Sequence, residues 1–349
     1  MKGKGVITMF HDLLVPLDGS TRAELALPVA ARLARATGAT LTLLRVVPPL
    51  DDLIWQSIGP LRDVSKVHEQ EQAHADVYMQ QIAACEMLVG LHVIPLVAQG
   101  DAAQRILAEA QAKPTDLIIM CSHGETGFKR WAIGSVSLKV ARQSPIPLLL
   151  LRPAADKAAT LTQTLPQQIR ILVPLDGSQL AEEALAPALA LTEALSAPEP
   201  GWLHLIGIIP LFTPELTTPH KVQAAVEAGQ EYLASVEYRL QQQAEKADIH
   251  LTVSASVTLR QDVPYALAEL AEVGDGLGQR EGLPGCDVIA MATHGRSGLA
   301  HWALGSVTER VMDATRLPML IVRPQQAAAS KPAARKERDP EMVSWPGLL

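Results

Sequence analysis

The segment LLVPLDGS at Leu13–Ser20 returns later in the chain as ILVPLDGS at Ile171–Ser178. Its short apolar run is as long as a β-strand that is buried on both faces. The Asp-Gly-Ser that follows is typical of a turn, and its serine is of a type that often begins a helix. Because this strand-turn-helix pattern occurs twice, we predict that the chain contains two copies of one α/β unit.

Two further segments are also repeated, in the same order. HGETGFKRWAIGSV at 123–136 matches HGRSGLAHWALGSV at 294–307, and PIPLLLLRP, ending at Pro153, matches LPMLIVRP, ending at Pro324. The two halves are therefore collinear. We predict two domains, at residues 1–155 and 167–325, joined by a linker at 156–166. Residues 326–349 lack apolar periodicity, and we predict that they form a disordered tail.

Within the first half, short apolar runs alternate with helical segments. The predicted strands are LLVPL, TLTLLRVV, HVIPLVA, DLIIMCS and PLLLL, and the predicted helices cover about 21–37, 63–88, 102–112 and 136–143. Strict alternation predicts a doubly wound, five-stranded parallel sheet with helices on both faces. We expect Gly38 to end the first helix, and Pro28 and Pro187 to kink the first helix of each half.

The amino-acid composition and net charge indicate which partners and which cell compartment to expect. Of the 349 residues, 48% are apolar but only 3% are aromatic, and the net charge is −7. An acidic balance argues against a nucleic-acid partner. We expect neither a membrane span nor a secretory signal, because no apolar run is long enough. Three cysteines without paired spacing are typical of a reducing compartment, so we expect a cytoplasmic protein.

In an open parallel sheet, ligands bind beyond the carboxyl ends of the strands, where the winding direction reverses. Asp18 and Asp176 follow the first strand of each half. A carboxylate there accepts hydrogen bonds from a ring amine or a ribose hydroxyl, whereas the alternative is a purely structural cap for the next helix. For Ser20 and Ser178, capping is the favoured interpretation.

A glycine-containing loop follows the fourth strand of each half. It has the pattern S/T-H-G, nine residues, then G-S. We expect four glycines to adopt positive φ and to let a ligand approach closely: Gly124, Gly134, Gly295 and Gly305. The serine that follows begins a helix whose N–H groups suit a phosphate. Ser306 and Glu309 also have the spacing of a capping box, which would explain that serine without a ligand.

Together, the DGS turn and the loop ending in G-S-V resemble the universal stress protein family, here as a tandem pair, over about 155 residues of each half. This resemblance implies two Rossmann-like domains that bind ATP, ADP or AMP, with Mg²⁺ as an optional companion of the phosphates. In the first half it assigns adenine, ribose and phosphate contacts to Asp18, Val46, Met120, Cys121, Gly124, Gly134, Ser135 and Val136. The matching positions in the second half are Asp176, Ile208, Met291, Ala292, Gly295, Gly305, Ser306 and Val307.

The chain departs from the family pattern at three positions. ATP-binding members carry G-x-x-G, nine residues, G-S/T, whereas Cys121 and Ala292 replace the first glycine here. We expect the site to accept the alanine methyl group and the larger cysteine side chain to lie near the ribose. Cys121 is either an inert core residue, which we favour, or a thiol sensor activated by the helix start. Gln261 stands where the first half has Gly100, and we expect it to lean into the crevice.

Three functions are compatible with these residues. The favoured one is a regulatory or sensory protein that binds adenine nucleotide without catalysis, or with slow ATP hydrolysis at most. The others are a degenerate member that acts through dimerisation and, less favoured because the chain has no P-loop motif, an ATP-using enzyme. The resemblance also implies that the domains pair through their last strands as an intramolecular pseudo-dimer, with a homodimer of two chains as a further option.

Overall fold

The computed structural model describes residues 9–49, 64–122, 133–152, 165–212, 216–274, 284–293 and 304–324. These residues divide into two compact units at residue 165. Most of the predicted linker at 156–166, and all of the tail at 326–349, lie outside the described residues. No described helix is both long and apolar enough to cross a bilayer.

The described part of the first unit alternates strands and helices. Its strands are β1 (Asp12–Leu17), β2 (Thr40–Val47), β3 (Val93–Gln99), β4 (Leu117–Cys121) and β5 (Leu148–Leu151). Its helices are α1 (Ala26–Thr37), α2 (Val64–Ala83), α3 (Ala102–Ala112) and α4 (Ser135–Gln143), with 3-10 turns at Ala23–Leu25 and Glu86–Leu88. The strands pair in parallel in the order β3-β2-β1-β4-β5.

The second unit repeats this arrangement. Its strands are β6 (Arg170–Pro174), β7 (Gly201–Pro210), β8 (Leu251–Arg260), β9 (Val288–Ala292) and β10 (Met319–Val322). Its helices are α5 (Gln179–Glu182), α6 (Leu185–Ser196), α7 (Pro219–Lys246), α8 (Val263–Val273) and α9 (Ser306–Ala314). The parallel order is β10-β9-β6-β7-β8, so the predicted Rossmann-like fold is confirmed in both units.

The strand order determines where a ligand crevice lies. From β1 the chain moves outward to β2 and β3, then crosses back to β4 on the other side of β1 and continues to β5. Because parallel crossovers are right-handed, the two helices before the crossing cover one face of the sheet and the two after it cover the other. The winding thus reverses between β1 and β4, and between β6 and β9, and the carboxyl ends of these strands flank the crevice.

The core explains the low aromatic content. Strands β4 (LIIMC) and β9 (VIAMA) are buried along their whole length. In α1, alanines at positions 26, 30 and 31 are fully buried, so the helix axis can approach the sheet closely. Small helical residues on branched and leucine strand residues fill the interior without large rings.

The first helix of each unit is interrupted before its proline. A 3-10 turn precedes α1, and α5 ends at Glu182 before α6 begins at Leu185, so Pro28 and Pro187 lie in the first turn of α1 and α6. The predicted kink at the proline is therefore replaced by a break just upstream. The physical reason is that proline has no N–H and its ring clashes with the carbonyl four residues earlier. Gly38 ends α1 as predicted, with φ of 75°.

A buried histidine lies on the second sheet. His204, on β7, is only 4% exposed. Its ring nitrogens Nδ1 and Nε2 lie 2.8 Å from Ser254 Oγ and 2.9 Å from Ser256 Oγ on β8. The Trp202 indole N–H donates to the same Ser254 hydroxyl at 3.0 Å. Desolvation lowers the pKa of His204 to about 4, so the ring is neutral in the folded protein at neutral pH.

Acidification should therefore destabilise the second unit. The folded-state pKa of His204 lies below the unfolded value of about 6.5, so unfolding takes up a proton between these pH values. The contribution to stability is present above pH 6.5 and is lost as the pH falls toward 4. We expect this histidine to remove about 2 kcal/mol of the unfolding free energy between pH 7 and pH 5. Urea unfolding of wild type and of His204→Gln at both pH values measures this change in unfolding free energy. An equal change between pH 7 and pH 5 in the two proteins would refute the prediction.

Candidate functional site

The Asp-Gly-Ser turn after the first strand is closed by its own side chains. The backbone N–H and the hydroxyl of Ser20 both donate to Asp18 Oδ1, at 2.9 and 2.6 Å, and the Ala23 N–H donates to Ser20 Oγ at 3.1 Å. Asp176 and Ser178 repeat the turn with the same two distances. The serines thus cap the following turn, as favoured from the sequence, while Ser20 and Ser178 use only Oδ1 of the aspartates.

A hydrogen bond between a tyrosine and a glutamate lies beside this turn. In the first unit the Tyr78 hydroxyl, on α2, donates to Glu24 Oε1 at 3.0 Å. Burial, and then the Glu24 carboxylate, raise the pKa of Tyr78, so the phenol stays protonated as the donor. The guanidinium of Arg45, from β2, packs over Gly19, 3.8 Å from where a Cβ would stand.

The second unit has the same tyrosine–glutamate pair, and a different arginine lies near it. The Tyr232 hydroxyl, on α7, donates to Glu182 Oε1 at 2.9 Å, and burial followed by this carboxylate raises the pKa of Tyr232. Arg239, from the same helix, donates to Glu182 Oε2 at 2.8 Å. Sequence reasoning missed both pairs. A glutamate six residues after the aspartate in each half was the available signal.

The loop after the fourth strand returns to that strand before its helix begins. The Gly134 N–H donates to the Ser122 carbonyl at 2.7 Å, and the Ser137 hydroxyl donates to the Cys121 carbonyl at 3.0 Å. In the second unit the Gly305 N–H donates to the Thr293 carbonyl at 2.7 Å. Each helix start is thereby held against the tip of β4 or β9.

Two expectations about these helix starts are wrong. Gly134 and Gly305 have φ of −62° and −59° with ψ of 147° and 144°, an extended conformation and not the expected positive φ. Ser306 does not form a capping box with Glu309, because Gly305 occupies the N-cap position and Ser306 is already helical. The box requires the serine to be extended. Gly124 and Gly295 lie outside the described residues.

The consequence is that neither helix start is capped by a side chain of its N-cap residue. In α4 the first intrahelical bond runs from Leu138 N–H to the Gly134 carbonyl. The N–H groups of Ser135 and Val136 precede that bond, as do those of Ser306 and Val307 in α9. Ser135 and Ser306 are exposed. Within the described residues these N–H groups have no intrahelical acceptor, and together with the positive end of the helix dipole they favour an anion.

Cys121 is packed inside the fold. Its Sγ lies 3.9 Å from the Ala23 carbonyl, at the turn after β1, and the residue is 5% exposed. The thiol thus packs against the turn that precedes the first helix, and its position relative to a ribose stays a prediction. Burial, and then the charge of Asp18, raise the pKa of the thiol to about 12. This favours the inert core residue over the thiol sensor, which needs a lowered pKa.

Thiol reactivity tests this packing. Burial also raises the pKa of Cys286 to about 12, although the surface of Cys286, like that of Cys85, is only partly buried. Because the thiolate is the reactive species, we expect Cys121 and Cys286 to alkylate about tenfold or more slower in the native than in the urea-unfolded protein at pH 8. Mass spectrometry of iodoacetamide-treated peptides measures each rate. Rapid native labelling of Cys121 would contradict its described position.

The remaining site residues lie at the same edge of each sheet. Val46 and Ile208 lie in the last three residues of β2 and β7, and Met120 and Met291 are buried near the ends of β4 and β9. Gln261 is exposed just beyond β8. Because β1 lies between β2 and β4, the described candidates of the first half come together from three neighbouring strands and α4. Among the described residues, no group of three or more His, Cys, Asp or Glu is arranged to hold a metal.

Comparisons with known proteins agree with this architecture. The model of the universal stress protein family matches residues 9–152 and 169–323. A universal stress protein of Mycolicibacterium smegmatis is 24% identical over 320 residues, covering 90% of this chain and 98% of the relative. Universal stress protein YxiE of Bacillus subtilis is 29% identical over 148 residues, which is 41% of this chain and all of that protein.

A solved structure of a universal stress protein from Archaeoglobus fulgidus shares the fold. It superimposes with a TM-score of 0.58 at 18% identity and covers 89% of this chain and 98% of its own. Both units thus match the family in sequence, and the chain matches it in fold along most of its length. The chain belongs to the universal stress protein family and contains two consecutive domains of that family.

Proposed function

We propose that this protein binds an adenine nucleotide, ATP or else ADP or AMP, in at least one of its two crevices, and that occupancy serves a regulatory or sensory role. The observation that carries the proposal is the start of α4 and α9. Both helices begin at the switch point of a doubly wound sheet with a glycine N-cap, which has no side chain to cap the helix. Such a start offers backbone N–H donors to phosphates without any basic surface.

The opposite side of the crevice suits a base. Asp18 and Asp176 lie at the tips of β1 and β6, and their Oδ1 atoms hold the serine of the turn. A carboxylate kept in place by its own turn is preorganised to accept a hydrogen bond from the amino group of adenine. Mg²⁺ would accompany the phosphates as their counterion.

We propose binding without turnover, or with slow hydrolysis at most. The described polar groups beside the turn are committed to one another, since Tyr78 donates to Glu24 and Tyr232 donates to Glu182. A phenol whose pKa is raised is a poor general base at neutral pH.

We also propose that the intact chain pairs its domains through β5 and β10. Sedimentation at several concentrations separates a monomer from a homodimer of chains.

Calorimetric titration tests the proposed ligand. We expect heat on addition of ATP and displacement of a fluorescent ATP analogue by ATP, with weaker displacement by GTP. Adenosine should compete less well than ATP, because it lacks the groups that the helix starts would bind. Absence of heat together with absence of displacement would overturn the proposal and would favour the alternative of a degenerate member that acts through dimerisation.

A further inference from the structure

We propose that Ser137 and Thr308 are positioning residues that set the phosphate-binding N–H groups of α4 and α9. This inference rests on the proposed function. Both side chains occupy the third position of their helix, two residues after Ser135 and Ser306. Neither residue would touch the nucleotide through its hydroxyl, since both hydroxyls are turned into the protein.

The geometry is the same in both units. Ser137 Oγ donates to the Cys121 carbonyl at 3.0 Å, and Thr308 Oγ1 donates to the Ala292 carbonyl at 3.0 Å. Ser137 is 4% exposed and Thr308 is 2% exposed. Each bond connects the first turn of the helix with the last residue of the strand that precedes it by 16 positions. The equivalent strand-tip carbonyl is thus bound by a serine in the first unit and by a threonine in the second.

This bond is unusual for a helical hydroxyl. Serine and threonine inside helices commonly donate to a carbonyl of their own helix, four residues earlier. At the third helical position that carbonyl precedes the helix, and the side chain instead reaches the neighbouring strand tip. A second bond, from the N-cap glycine to residue 122 or 293, runs beside it. Two bonds to the carbonyls of consecutive residues at the strand tip restrain both the distance and the rotation of the helix start relative to the strand.

An ion pair near the helix start in each unit is too exposed to do the same. Lys139 and Asp101 approach to 3.0 Å, and Arg310 pairs with Asp262 at the corresponding place. The side chains of these pairs are 37–60% exposed, and exposed ion pairs contribute little to stability. The buried hydroxyl therefore restrains the rotation of the first turn, on which the direction of its N–H groups depends.

The experiment compares the two ends of the same helices in the intact chain. The test variant is Ser137→Ala/Thr308→Val. The matched control is Ser144→Ala/Thr315→Val, which removes buried hydroxyls at the C-terminal ends of α4 and α9. There Ser144 Oγ donates to the Ile146 carbonyl at 2.7 Å, and Leu317 N–H donates to Thr315 Oγ1 at 3.1 Å. The exchange variant Ser137→Thr/Thr308→Ser keeps a hydroxyl at both positions.

We expect the test variant to bind ATP about tenfold more weakly than wild type, because misdirected N–H donors lose charge-assisted bonds to phosphate. Adenosine, which has no phosphate, should change by less than about twofold. The control and the exchange variant should both retain wild-type ATP affinity. Equal weakening of ATP and adenosine, or equal weakening in test and control variants, would overturn the positioning role.

Hydrogen exchange on the nucleotide-free protein keeps the two ideas separate. In the test variant, the backbone amides of Leu138 and Glu309, which bond the Gly134 and Gly305 carbonyls, should exchange about tenfold faster than in wild type, because the helix start opens more readily. Unchanged exchange would overturn the positioning role even if ATP binds. Wild-type protein that binds no ATP, but whose variant shows this faster exchange, would instead overturn the proposed function and leave only a structural anchor.

Discussion

Replacing Gly134 and Gly305 together by glutamate should weaken ATP binding by about 100-fold or more, because each change places a carboxylate at the helix start proposed for phosphate. The backbone does not explain such a loss. Both glycines have negative φ and extended ψ, a conformation that any residue adopts, so a side chain adds no backbone strain. A calorimetric titration of the double variant measures the effect.

Two controls isolate the cause. Gly134→Gln/Gly305→Gln adds the same bulk without charge and should retain more affinity than the glutamate variant. Gln111→Glu/Gln243→Glu adds two charges on exposed helix positions of α3 and α7 and should bind ATP as wild type does. If the glutamate variant at the helix starts binds ATP within twofold of wild type, phosphates do not lie there.

Replacing Asp18 and Asp176 together by asparagine should weaken ATP binding by about 30-fold, since an acceptor for the adenine amino group becomes a donor. The turn itself should survive. Asparagine retains an oxygen for the serine N–H and hydroxyl, which Oδ1 accepts in both units. For the same reason, preference for ATP over GTP should fall, because guanine offers an acceptor at the corresponding ring position.

The alanine variant separates recognition of the base from loss of the turn. Asp18→Ala/Asp176→Ala removes both roles, so it should lower the unfolding temperature as well as the ATP affinity. The asparagine variant should lower mainly the affinity. An asparagine variant whose ATP affinity and ATP-to-GTP preference match wild type would show that these aspartates only shape the turn.

Local patterns predicted some elements closely. Helix α3 begins and ends where expected, because Asp101 caps it by accepting from Gln104 N–H at 2.9 Å. Strand β2 also matches its predicted span, since its apolar and β-branched run is interrupted only by Arg45 and contains no turn or helix signal. The first helix was predicted less well. Its break depends on how Pro28 meets the preceding carbonyls, which the spacing alone did not reveal.

The candidate site shows a similar division. The DGS turn and the G-S pair were found as short repeats, and their positions on opposite sides of the switch point follow from the strand order. The Glu24–Tyr78 pair was missed, because its members are separated by 54 residues. The bond from Ser137 to Cys121 was missed for the same reason, although the repeated G-S-V-S and G-S-V-T segments carried the signal.

By itself, the sequence determined that the chain has two copies of one doubly wound α/β domain, because strand length, turn chemistry and repetition are local properties. Only the tertiary structure decided how the crevice is built. It turned the Cys121 thiol inward, gave Gly134 and Gly305 extended backbone and made these two glycines the N-cap residues of α4 and α9. The physical reason is that these features depend on which strand tips and helix starts meet across the sheet, and distant segments establish those contacts only on folding.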